Sequence, residues 1–146
     1  MNQKIKFLDH HLDDPHGYTF AIVVARFSDR WIWVRHRERQ TWELPAGHVE
    51  PAESVLSAAR RELMEETGAV DLHIEPVVSY QGEYQNKTIF GKLYFARIQT
   101  LGPLPEYEIA EIRLETGLPD QLTYPVIQPL FFRYVSDWYF LLDSDD

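Results

Sequence analysis

One stretch, Gly47 to Ala69, constrains this chain more than any other: G-H-V-E-P-A-E-S-V-L-S-A-A-R-R-E-L-M-E-E-T-G-A. A loop containing Gly47 and Pro51 leads into a predicted helix whose apolar face is Val55, Leu56, Ala59 and Leu63. Pro51 suits the first turn, where its missing N–H costs nothing. Gly68 suits a left-handed stop. Glu53 then lies one turn into the helix, where a negative charge also favours the dipole. On the same helix Glu62, Glu65 and Glu66 share an arc of about 100° at 3.6 residues per turn. Carboxylates that close repel unless a cation sits between them. Hard oxygen ligands select Mg²⁺ or Mn²⁺ rather than zinc. A merely solvated acidic face is the alternative, and the absence of Glu-to-Lys pairs at i,i+4 speaks against it.

The chain has 146 residues, enough for one domain with one real core. With 45% hydrophobic residues it is neither disordered nor membrane-spanning by composition. No apolar run approaches the roughly 18 residues needed to cross a bilayer. Met1 to Lys6 is not followed by the apolar core of a secretory leader. There are no cysteines, which excludes disulfides and thiolate metal sites and fits a cytoplasmic protein. A net charge of -9 argues against a nucleic-acid polymer as partner. A small anionic substrate is compatible if a cation and local basic residues offset the field.

The β-rich run 18–27 reads as a buried strand, Ser28-Asp29-Arg30 as a turn, and 31–34 as its hairpin partner, with Trp31 and Trp33 in the core. Arg35 to Gln40 is a charged loop, and Trp42 to Leu44 a short strand ended by Pro45. Further strands are expected at 72–80 and 88–99, with Gln81 to Lys87 between them, and a short one at 112–114. An aromatic-rich helix spans 126–138, although Pro129 blurs its start. Strands and helices without a regular βαβ repeat predict an α/β fold, a mixed sheet with helices on both faces.

Gly47, Glu53, Arg61, Glu62, Leu63, Glu65, Glu66 and Gly68 match eight of the nine specified positions of G-x5-E-x7-R-E-U-x-E-E-x-G-U, where U is bulky and apolar. The stretch resembles the signature of the Nudix hydrolase family. The ninth position holds the small Ala69, and Val70 is expected to take its packing role. The motif covers about a sixth of the chain, and a weaker resemblance extends over nearly all of it, so residues 1–146 read as a single Nudix domain with the signature at 47–69. The resemblance implies an α/β/α sandwich and Mg²⁺-dependent hydrolysis (Mn²⁺ as substitute) of a nucleoside diphosphate linked to another group. It implies Glu62 and Glu66 as metal ligands, with the Ala46 carbonyl completing the set and Glu65 either a further ligand or the general base. A carboxylate from a later loop is also expected, Glu108 first and Glu111 second. Arg61 is expected to orient a glutamate through a bidentate ion pair. Glu53 is either catalytic or structural.

Arg35, His36, Arg37 and Arg39 form the basic cluster of the chain. They either hold substrate phosphates or make an ordinary solvated loop. Trp42, Tyr80 and Tyr84 are candidates to stack on a base. His48 has no assignable role from sequence. The first-choice substrate is a nucleoside triphosphate, oxidised bases included, cleaved to monophosphate and pyrophosphate, by similarity to MutT-type members. A dinucleoside polyphosphate is the runner-up, on Tyr84. ADP-ribose is disfavoured, because positions 83–85 are Glu-Tyr-Gln where a proline is usual. A binding-only Nudix regulator is the non-enzymatic alternative, disfavoured because every glutamate of the signature is present. Homodimerisation is open, with Phe131-Phe132 and Trp138-Tyr139-Phe140 as either interface or core.

Overall fold

The computed structural model describes residues 4–144. The reading of Met1 to Lys6 falls partly on residues 1–3, outside the described residues. The elements are β1 (Lys6–Phe7), β2 (Phe20–Phe27), β3 (Arg30–His36), β4 (Ala46–His48), α1 (Val55–Thr67), β5 (Ala69–Tyr84), β6 (Lys87–Leu101), β7 (Ile109–Glu115) and α2 (Gln128–Ser144). The strands form one mixed sheet in the order β1-β5-β6-β2-β3-β7, with β4 added to β2. No helix among the described residues is long and apolar enough to cross a membrane.

β2 pairs along its whole length with β6, in parallel, from Phe20↔Gly91 to Phe27↔Ile98. Its other edge is divided. Arg26 and Phe27 pair with β3, whereas Phe20 to Ile22 pair with β4. β3 thus leaves β2 and continues onto β7. Glu43 ties the outgoing chain back to β3 through reciprocal backbone bonds with Val34 of 2.8 and 2.9 Å. The sheet forks at this point. The fork brings the end of β3, the start of β4 and the approach to β7 together.

β2 is apolar from Phe20 to Ala25 because both its faces are covered. Ala21, Val23 and Ala25 pack in one core with Val55, Ala58, Ala59 and Leu63 of α1. Ile22 and Val24 pack in the other with Trp31, Trp33, Phe131, Phe132 and Val135, the last three from α2. This alternation at period two gives the α/β/α arrangement. Burial of Phe131 and Phe132 contributes about 1.5–3 kcal/mol each. Those two rings are core, whereas Phe140 is 51% exposed.

Several boundaries differ from the sequence reading. α1 begins at Val55 with Ser54 as N-cap, its hydroxyl accepting from the Ser57 N–H at 3.2 Å. Pro51 and Glu53 therefore precede the helix, because a capping serine defines its start better than an upstream proline. Leu56 is 42% exposed, and Ala58 takes the inward position. Gly68 does end α1 in the left-handed region at φ 78°. Ala69 is 3% exposed and fills the apolar position, while Val70 is 65% exposed. β5 and β6 run longer than expected and join through two residues only, Gln85-Asn86, both at positive φ. That geometry matches the right-handed twist of a tight hairpin. Residues 42–44 contribute isolated bridges rather than a strand, and the strand proper, β4, starts at Ala46. β7 extends over Ile109–Glu115. Pro129 sits in the first turn of α2, where no N–H is needed.

Candidate active site

β4 lies across the C-terminal half of α1. The Ala46 N–H donates to Glu66 Oε1 at 2.8 Å. Gly47 lets the Glu62 carboxylate lie directly over the backbone, since a Cβ there would fall 2.2 Å from Glu62 Cδ. Arg61 is the centre of the next layer. It grips Glu53 with two bonds, Nε to Oε2 at 2.7 Å and Nη2 to Oε1 at 3.0 Å. Its Nη1 donates to Glu62 Oε1 at 2.7 Å and lies 3.6 Å from Glu65 Oε2. Its Nη2 also donates to the His48 carbonyl at 3.2 Å. One guanidinium thus fastens the loop before α1 to the carboxylates on it. Hydrogen bonds from Arg61 hold the Glu53 carboxyl below its ordinary range.

Glu66 is the most buried of the three helix glutamates, its side chain 7% exposed. Burial pushes its carboxyl up to about 9, against the opposing Ala46 amide and with further help from Glu62, Glu43 and Glu108. Burial also raises Glu62, against the pull of Arg61. Carboxyls in such a setting favour a cation. The nearest group offering one side of a cage is His36, Glu66 and Glu108, whose ligand atoms lie within 4.8 Å of one another. The donor set, carboxylate oxygens with one imidazole, fits a divalent metal ion.

The residues expected from sequence fall into several places. Ala46, Glu53, Arg61, Glu62, Glu65 and Glu66 meet at the α1–β4 contact. Glu108 approaches them from the loop before β7, with Oε2 3.9 Å from His36 Nδ1. Glu111 instead pairs with Arg35 at 3.1 Å. The members of the basic cluster differ in their contacts. Arg35 is spent on Glu111 and on the carbonyl of Arg39 at 2.9 Å. Arg39 donates to Glu43 at 3.0 Å. Arg37 donates Nε to the Tyr107 carbonyl at 2.7 Å and lines a polar hollow with His36, Arg39 and Glu108. Trp42 is 7% exposed, packed in the α2-side core with Arg113 over its ring at 5.4 Å, and does not line the cleft described next.

That cleft, about 340 Å³, opens on the α2 side. Tyr84, Phe20 and His48 stand together on its wall, with ring centroids 4.5 Å (Phe20–His48) and 5.1 Å (Phe20–Tyr84) apart. Tyr80 is deeper, against Phe131 at 4.7 Å. Glu43, Ala46 and Gly47 belong to the cleft wall and also border the carboxylates, so cleft and carboxylates adjoin.

Sequence reading missed Glu43 and the position of His36. Glu43 is 8% exposed, and its Oε1 lies 2.9 Å from His36 Nε2. The signal was a lone charge between Trp42 and Leu44, both buried. Charged groups in such a place are kept only with partners.

A family model for the NUDIX domain matches residues 15–126. The chain belongs to the NUDIX domain family. Among curated relatives it is 36% identical over 85 residues to YtkD of Bacillus subtilis, provisionally designated an 8-oxo-dGTP diphosphatase, covering 58% of this chain and 53% of that protein. It is 38% identical over 64 residues to an RNA pyrophosphohydrolase of Stenotrophomonas maltophilia, covering 42% and 31%. The matches thus span about half or less of these relatives' length. In fold it is similar to the crystal structure of a Bacillus subtilis pyrophosphohydrolase, with TM-score 0.77, 23% identity and coverage of 93% and 92%.

Proposed function

We propose that this chain hydrolyses the pyrophosphate linkage of a nucleoside triphosphate, oxidised bases included, to a monophosphate and pyrophosphate, with Mg²⁺ as the bound ion. The observation that carries the reading is the adjacency of an aromatic cleft to the carboxylates gathered at the α1–β4 contact, of which Glu66 and Glu62 are largely buried. Tyr84, Phe20 and His48 take the base, since aromatic faces accept any base. Arg37 and Arg39, on the hollow beside Glu108, face the phosphates. Glu66, Glu62, Glu108 and the Ala46 carbonyl hold the divalent ion. When bound, that ion supplies concentrated positive charge against the phosphoryl oxygens. Arg61 keeps Glu62 and the loop aligned while charge develops. Glu65 takes the proton of the attacking water. Its carboxylate is approached by Arg61 only to 3.6 Å and is 42% exposed, so it is the least committed of the three.

Similarity to RNA pyrophosphohydrolases supports a second reading, the 5′-triphosphate end of an RNA. The same cleft and carboxylates would serve it, while the net charge of -9 disfavours extended contact with the polymer. A substrate panel decides between them. Nucleoside triphosphates, 8-oxo-dGTP, a dinucleoside polyphosphate and a 5′-triphosphorylated oligonucleotide are compared by kcat/KM with product identification. The first reading expects free nucleotides to lead, and Glu66→Gln to abolish most turnover with the fold intact. Turnover of none of them, with nucleotide still bound, would make the domain a sensor rather than an enzyme.

A further inference from the structure

The His36 imidazole is enclosed by carboxylates on both nitrogens. Nε2 lies 2.9 Å from Glu43 Oε1 and 4.0 Å from Glu66 Oε2, and Nδ1 lies 3.9 Å from Glu108 Oε2. Glu43 is itself fixed. It is nearly buried, Arg39 donates to its other oxygen, and its backbone is locked to Val34. The N···O approach of 2.9 Å places a donor N–H at Nε2, facing Glu43, and turns Nδ1 toward Glu108. Metal-bound histidines are commonly held this way, with the second nitrogen donating to a carboxylate. Glu66 has one oxygen satisfied by the Ala46 N–H, while the other lies 4.0 Å from His36 Nε2, and one ligand atom from each of His36, Glu66 and Glu108 falls within 4.8 Å of the other two.

We infer that His36 is a nitrogen ligand of the divalent ion, sharing it with Glu66 and Glu108 and oriented by Glu43. The inference rests on the reading of this site as metal-dependent and goes beyond it, because an imidazole changes which ion the site prefers. Mg²⁺ favours an all-oxygen shell with retained waters. An imidazole nitrogen favours first-row transition ions. The site therefore selects Mn²⁺ over Mg²⁺ more strongly than its carboxylates alone would. His36 is the last residue of β3, and its Nε2 lies 4.0 Å from Glu66, whose other oxygen accepts from the Ala46 N–H at the start of β4.

The test uses the full chain with Mn²⁺ as probe. Pulsed electron paramagnetic resonance on the Mn²⁺-loaded protein reads the ¹⁴N coupling of a directly bound imidazole, independently of turnover. Wild type is expected to show it, and His36→Gln to lose it. Loss of the free-ion signal on titration measures affinity. His36→Gln is expected to weaken Mn²⁺ by about tenfold or more while Mg²⁺, measured by competition, changes less. Circular dichroism checks that the variant folds, and the wild-type spectrum needs no variant at all. Mn²⁺ binding that Glu62→Gln abolishes, yet with no imidazole coupling in wild type, overturns the assignment of His36 and leaves the pyrophosphohydrolase reading standing. No Mn²⁺ binding together with no nucleotide hydrolysis overturns both.

Discussion

Replacing Gly47 by alanine tests whether the Glu62 carboxylate belongs to the reacting centre. The new Cβ would fall 2.2 Å from both Glu62 Cδ and Oε1 and 2.8 Å from its Cγ. Comfortable carbon contacts need about 3.5–4.0 Å, so the carboxylate must retreat by roughly 1 Å or more. The backbone permits the change, because Gly68 is the one described glycine at positive φ. What moves is the end of a flexible side chain, and an off-rotamer glutamate costs about 0.5–1.5 kcal/mol. Melting should fall by only a few degrees, about 2–8 °C. Activity should fall much further. A misplacement near 1 Å costs on the order of 100-fold, or about 2.7 kcal/mol in the barrier. Initial rates of pyrophosphate release and thermal melts are measured together, with Gly117→Ala as control, since nothing lies within 4 Å of its added Cβ. A folded Gly47→Ala protein with parental kcat would refute the placement of Glu62.

Three further outcomes follow from the geometry. In metal-free protein, burial holds the Glu66 carboxyl at about 9, so the folded chain keeps a proton that the unfolded chain releases above its ordinary value of 4.5. The stability this contributes is full below that lower value and is lost as pH rises toward 9. Melts in a chelator from pH 5 to about 9 should decline in wild type and flatten in Glu66→Gln; superimposable slopes would contradict the burial argument. Arg61→Lys should cost on the order of 1–2 kcal/mol by denaturant titration, because an ammonium cannot make the two-point grip on Glu53 while reaching Glu62. A stability equal to wild type would show that the clamp is idle. Tyr84→Ala should raise KM about tenfold with little change in melting, whereas Trp42→Phe should lower melting and leave KM alone. The reverse pattern would exchange their roles.

How far the sequence reached depended on whether information was local. The helix of the signature, its left-handed stop and the neighbouring carboxylates were legible because a fixed spacing on a 3.6-residue turn places them without reference to the rest of the chain. The interleaving of strands and helices likewise pointed to a covered mixed sheet. The start of α1 was not legible from Pro51, because Ser54 caps the helix with its own hydroxyl three residues later. Trp42 looked like a platform for a base, but its side chain turns into the α2-side core, which one aromatic letter cannot reveal. The pairing of His36 with Glu43, Glu66 and Glu108 depends on the division of β2's edge between two strands. That contact joins four separate segments and leaves no periodic trace in any of them.

The two cores differ in grain. Ala21, Ala25 and Ala96 on the sheet meet Ala58 and Ala59 of α1, all at 0% exposure, whereas α2 rests on large rings. Where these alanines meet there is little slack: one added carbon would force off-rotamer side chains and a backbone shift costing about 1–3 kcal/mol, on the same helix that carries Glu62, Glu65 and Glu66. The aromatic side can trade shapes among its rings while the acidic groups stay put. Drift toward new substrates therefore has room beneath α2 and almost none beneath α1, so one face of this sheet is free to explore while the other stands as a fixed gauge.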